Sequence, residues 1–305
     1  MRILAAVAVS LLVVSPRLPA AAQSADPGEG RVRPHPEFVV STDWLARHLD
    51  SPGVVVVHVG RGDAAYLAGH IPGARYLPLV EVATTIGGVP NEFPPREQLA
   101  ETFRSLGVGD SARIVLYGDD AGLLAARAWV ALELLGRSGD AAILDGGLTK
   151  WVAEHRAVET GPHATQAAPF TVRWRPERVV TAAWVRSHLR DRSVLLVDAR
   201  SPDLYSGAAP AGHLPGARNI YWMTTLESAD DPVLKPMHAL HEGLWRAAGA
   251  DVPAVKTVVT YCHTGMQASF DYFVARYVGY ADVRLYDGSM AEWSQLNYPV
   301  ERTPN

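Results

Sequence analysis

Val258-Val259-Thr260-Tyr261-Cys262-His263-Thr264-Gly265-Met266-Gln267-Ala268-Ser269 decides how the rest of the chain is read. Its first four residues are β-branched or aromatic, the pattern of a buried strand. Phe270, Phe273, Val274 and Tyr277 then recur at helical spacing, and the pattern stops at Gly279. The polar stretch between them is a strand-to-helix turn, and it holds the chain's only cysteine. Backbone N–H groups in such a turn point inward as an anion-binding nest, and the helix adds the positive end of its dipole. The expectation is a Cys262 thiol that loses its proton more readily than a free one, whose pKa is about 8.5. A lone cysteine is otherwise most often a small buried hydrophobe; the strand, polar loop and helix around it are what point to a nucleophile.

Working outward, the chain repeats itself. Trp184, His188 and Leu189 follow Trp44, His48 and Leu49 at an interval of 140 residues. Gly212-His213-Leu214-Pro215-Gly216-Ala217-Arg218 follows Gly69-His70-Ile71-Pro72-Gly73-Ala74-Arg75 at 143, and Asp287-Gly288 and Trp293 follow Asp145-Gly146 and Trp151 at 142. Intervals this constant mean two copies of one domain. Within each copy, apolar runs (residues 54–59 and 114–117, then 194–197 and 258–261) alternate with helical patterns. Ser41 and Thr181 stand where helix N-caps belong, and Gly136 closes a strong helix over residues 123–135. The fold class is therefore α/β, each copy a parallel sheet flanked by helices on both faces. Open sheets of this kind place ligands at the carboxyl ends of strands, where the Cys262 turn lies. The first copy offers Gly118 and Asp119 at that place, so it reads as non-catalytic, with Asp119 and Asp120 in a solvated, helix-capping turn.

The 305 residues suffice for two cores, and 48% apolar with 20% charged residues is ordinary globular composition. A net charge of −4 with mixed signs gives no electrostatic case for nucleic acid. Met1-Arg2, an apolar run and Pro19-Ala20-Ala21-Ala22 have the form of a secretory signal peptide cleaved before Gln23. The run is too short for a permanent anchor. The expectation is an exported protein, periplasmic or secreted, with no stable membrane anchor after cleavage. One cysteine permits no intramolecular disulfide, so the thiol is not structural. The expected organisation is a signal peptide over 1–22, a flexible segment over 23–36, a non-catalytic domain over 37–158, a connection over 159–175 and a catalytic domain over 176–305.

These residues resemble a tandem-domain rhodanese, the family of thiosulfate and 3-mercaptopyruvate sulfurtransferases. The likeness spans nearly all the chain after residue 36. It is carried by Tyr66 with residues 69–74, Asp198-Ala199-Arg200, residues 212–217, and Asp287-Gly288-Ser289 with Trp293. It implies that Cys262 becomes a persulfide and that His263, Thr264, Gly265, Met266 and Gln267 form the loop that wraps it. The chain departs from the family at His263 and Thr264, where the thiosulfate enzymes commonly carry basic residues. It also departs at Leu204, where an arginine is common, at His58-Val59-Gly60-Arg61, which replaces an Asp-x-Arg pattern, and at Met290, in place of an aromatic residue.

The chemistry expected is double displacement: Cys262 takes sulfur from a small anionic donor and passes it to a small thiophilic acceptor such as cyanide or a thiol. It requires no metal or organic cofactor. Arg200 is a candidate contact for the donor anion, or else a structural partner of Asp198. His70, His213, His238 and His241 lack metal-ligand spacing and read as structural or surface residues. Thiosulfate is the expected donor, because backbone N–H groups alone hold it, whereas the carboxylate of 3-mercaptopyruvate asks for an arginine fork. A cysteine phosphatase is excluded, since its loop needs arginine six residues after the cysteine and Ala268 stands there. A non-enzymatic binding module on the same fold is the other alternative.

Overall fold

The computed structural model describes residues 32–207 and 212–302; the expected signal peptide lies outside them. The first domain runs β1 (Val39–Val40), α1 (Thr42–His48), β2 (Val54–Gly60), α2 (Ala64–Ala68), β3 (Arg75–Pro78), a hairpin of β4 (Thr84–Ile86) and β5 (Val89–Glu92), α3 (Arg96–Ser105), β6 (Arg113–Gly118), α4 (Leu123–Leu134), β7 (Ala141–Leu144) and α5 (Gly147–Ala153). The second runs α6 (Ala182–His188), β8 (Val194–Asp198), α7 (Pro202–Ser206), β9 (Arg218–Asn219), α8 (Met237–Leu240), β10 (Thr257–Tyr261), α9 (Met266–Val278), β11 (Val283–Leu285) and α10 (Ser289–Gln295). Two parallel sheets result, in the orders β1-β7-β6-β2-β3 and β11-β10-β8-β9. The missing edge of the second sheet survives as a single parallel bridge between Val179 and Leu285.

Local chemistry explains the repeats. The Ser41 and Thr181 hydroxyls accept the N–H groups of Trp44 and Trp184 at 3.1 and 3.2 Å, capping α1 and α6. Tyr117 and Tyr261, at matching places on the central strands, each accept a backbone N–H, from Ile71 and Leu214, at 3.1 Å. His70 and His213 stack on Tyr66 and Tyr205 and bond to their carbonyls at 2.8 Å, so both are structural.

The domains join through α4 and α9. Every residue of α4 is buried, because one side covers its own sheet and the other packs on α9, with Trp129 against Tyr272 and Phe273. The expectation of a free tether over 23–36 is corrected for residues 32–36. Arg33 and His35 donate backbone N–H groups to Gly279 and Tyr277 at 3.0 and 2.9 Å, against the end of α9. Gly279, at φ +116°, is where this strap crosses, and any Cβ there would strike the Arg33 backbone.

Candidate active site

β10 delivers Cys262 to the carboxyl edge of its sheet, and α10 bolts the turn in place. The Ser289 hydroxyl accepts the N–H groups of Cys262 and Gly265 at 3.0 and 3.1 Å and donates to the Tyr286 carbonyl at 2.9 Å. The first turn of α10 then donates from Met290 to the Cys262 carbonyl (3.1 Å) and from Ala291 to the His263 carbonyl (2.9 Å). Gly265 caps α9 at φ +81°, and a Cβ there would collide with the Asp287 carboxylate. Only glycine fits.

The backbone N–H groups of Ala268, Thr264 and Gln267 favour the Cys262 thiolate. The expected nest is therefore present, but its expected effect on acidity is corrected. Cys262 is 1% exposed, and burial pushes its thiol above the ordinary value, with the Asp198 charge adding to the rise; the three N–H groups oppose this without overcoming it. Taking a thiolate out of water costs more than three neutral dipoles return.

The other expected site residues divide. His263 is exposed and Thr264 and Gln267 are half-buried at the loop, while Met266 turns its side chain into the core and offers the loop only its backbone. Arg200 is 1% exposed. Its Nε and Nη2 fork onto Asp198 at 2.6–3.2 Å, and Nη2 also donates to the Gly212 carbonyl at 2.6 Å. The Arg200 N–H donates to the same carboxylate (3.0 Å), folding the side chain back over its own strand. Of the two readings of Arg200, the geometry is that of the structural pairing with Asp198. Among the described residues no group of three or more His, Cys, Asp or Glu is placed to hold a metal.

Sequence reasoning missed the part of the site supplied by the first domain. Asn91, at the end of the β4–β5 hairpin, donates its amide to the Thr264 hydroxyl at 2.9 Å. Phe93 N–H donates to Asp287 Oδ2 at 2.9 Å. Arg127 of α4, fully buried, forks onto Asp287 at 2.5 and 3.0 Å, reaches the Val82 and Asn91 carbonyls, and lies over the Phe93 ring. Glu92 beside them has its carboxyl pushed up to about 8, first by burial and then by the Asp287 charge, against the pull of Arg127. One signal was in reach: Arg127 and Glu133 are the only charged residues in an otherwise apolar helix, and a buried charge implies a buried partner.

In the first domain the corresponding position is closed to a nucleophile. A Cβ on Gly118 would meet the Val59 carbonyl and Leu124, and Asp119 lies 3.3 Å from His58 Nε2.

A tandem pair of parallel-sheet domains, with one buried thiol at the head of an N–H-lined turn in the second, defines the class. The chain belongs to the rhodanese family: the rhodanese-like domain matches residues 41–154 and again 181–296. It is an enzyme of the sulfurtransferase class. It is 33% identical to the sulfur carrier protein TtuD of Thermus thermophilus, over 86% of this chain and 95% of that one. It is 31% identical to a thiosulfate sulfurtransferase of Azotobacter vinelandii, over 87% and 97%. The crystal structure of SseA from Escherichia coli, described with the rhodanese fold and catalytic mechanism of 3-mercaptopyruvate sulfotransferases, superposes with a TM-score of 0.72 at 26% identity, covering 83% of this chain and 98% of that one.

Proposed function

We propose that the chain moves the outer sulfur of thiosulfate to a thiophilic acceptor through a persulfide on Cys262. The thiolate attacks the outer sulfur, the S–S bond of thiosulfate breaks, and sulfite leaves with the bonding pair, giving Cys262–S–S⁻. Cyanide or a thiolate then attacks that outer sulfur and departs with it, restoring the thiolate. The observation that carries this reading is the chain's single cysteine, buried at the end of β10 in a turn whose backbone N–H groups favour its thiolate. Neutral donors suit a sulfur that stays anionic through both half-reactions.

Thiosulfate is favoured over 3-mercaptopyruvate because Arg200, a candidate fork for a carboxylate, is committed to Asp198. Intact-mass analysis after incubation with thiosulfate should find one added sulfur of about 32 Da, absent in Cys262→Ser, as a covalent intermediate requires. An adduct in the Ser variant refutes the assignment. A kcat/KM about tenfold higher for 3-mercaptopyruvate, some 1.4 kcal/mol, would reverse the choice of donor. Export is the corresponding proposal for location, supported by the signal-like residues 1–22; the secreted protein should begin near Gln23, and a cytoplasmic product retaining Met1 would count against it. No helix among the described residues is long and apolar enough to cross a membrane.

A further inference from the structure

The two domains cover one another's strand ends reciprocally. The β4–β5 hairpin lies over the Cys262 turn; in return, residues 226–234, closed by an antiparallel bridge between Leu226 and Leu234, lie over the Gly118–Gly122 turn. Phe93 N–H binds Asp287, and Leu234 N–H binds Asp145 at the same 2.9 Å. Arg127 reaches from α4 to Gly265, and Phe270 reaches from α9 to Gly122. The first domain therefore has its own version of the catalytic cleft. It is not filled: a cavity of about 410 Å³ lies there, within the roughly 300–1,000 Å³ of small-ligand sites.

Its lining has a definite chemistry. Leu148, Val152, Leu226, Leu234, Phe270 and Phe273 make an apolar body. Asp119, Asp120 and Asp145 stand on its wall, and Asp231 is close enough to act on Asp145. The cations nearby are engaged: Arg61 binds Asp120 at 3.0 Å and Lys150 binds Glu154 at 2.8 Å. Burial pushes the Asp145 carboxyl up, opposed by the Leu234 N–H and Lys150, so a cation entering the cleft would relieve an unfavourable charge. Aromatic faces beside carboxylates are also what an organic ammonium group prefers.

We infer that the first domain's cleft binds a small organic cation with an apolar body, its ammonium group at Asp145 and its body against Phe270 and Phe273. The site is independent of the choice of sulfur donor.

Titration of the full chain by calorimetry with 2-phenylethylammonium, 2-phenylethanol and phenylacetate tests this. The ammonium compound should bind once per chain, at least about tenfold more tightly than the alcohol, with the carboxylate weakest of all, as charge selection in a partly desolvated cleft requires. Asp145→Asn keeps an acceptor for Leu234 and should weaken the ammonium compound by about tenfold, while thiosulfate still loads Cys262. Asp120→Asn, at a more exposed position, gives a second reading if Asp145→Asn folds poorly, and should weaken binding by about twofold to fivefold. Equal affinity for ammonium and alcohol would overturn the inference, as would binding unchanged in both variants or no saturation by about 10 mM, the weak limit for a specific small-ligand site.

Discussion

The Cys262 cleft and the Gly118 cleft lie on the same backbone path but carry different chemistry, and few positions account for it. Ser289, at φ +51°, binds two loop N–H groups; Gly147, at φ +54° in the first copy, has no hydroxyl to do so. Arg127 reaches into one cleft and Phe270 into the other. The first copy's turn is also one residue longer before its helix-capping glycine, Gly122 against Gly265. The scaffold provides two clefts at strand ends, and the side chains lining each, from its own domain and from the opposite one, decide its chemistry.

The most severe test of the comparison tries to move the nucleophile. Cys262→Ser should lower turnover by at least about a thousandfold, some 4 kcal/mol, and adding Gly118→Cys should restore neither turnover nor a sulfur adduct. The new Cβ would press on the Val59 carbonyl, a clash expected to cost about 1–3 kcal/mol of stability. Recovery of the adduct would show that the first cleft needs only a thiol.

Next in size is the link between the domains. Arg127→Met leaves Asp287, 2% exposed, without its charged partner, which should destabilise the fold by about 3–5 kcal/mol in denaturant titration. Adding Asp287→Asn should recover part of that loss. A single variant as stable as the parent would mean that the pair is not the clasp it resembles.

Glu92 sharpens the comparison through pH. Its folded value of about 8 lies above the ordinary 4.5, so the folded protein holds the extra proton between these values and loses stability as pH rises through that window. Glu92→Gln, which does not ionise, should match the parent near pH 4.5 and exceed it by about 1–2 kcal/mol at pH 9, a figure discounted for partial solvent access. A difference that is constant with pH would refute the shift.

The smallest effect is expected at Asn91. Asn91→Gly suits its φ of +63° and removes only the bond to Thr264. It should slow sulfur loading by about twofold to tenfold, the worth of one neutral hydrogen bond, without loss of fold. Unchanged loading would assign that bond to packing alone.

By itself the sequence determined the tandem α/β architecture and set its single cysteine in a strand-to-helix turn. Repeats such as residues 69–75 and 212–218, the caps Ser41 and Thr181, and the strand-to-helix turn at Cys262 are local patterns, and local patterns reflect short-range sterics and hydrogen bonding. Tertiary structure alone decided that Arg200 folds onto Asp198, that Asn91 and Arg127 complete a site over 130 residues away in the chain, and that residues 32–36 dock on α9. It also decided the acidity of Cys262. The nest is legible in the turn, but burial depends on everything packed around the sulfur, and here the cost of removing charge from water outweighs the dipoles that the turn supplies.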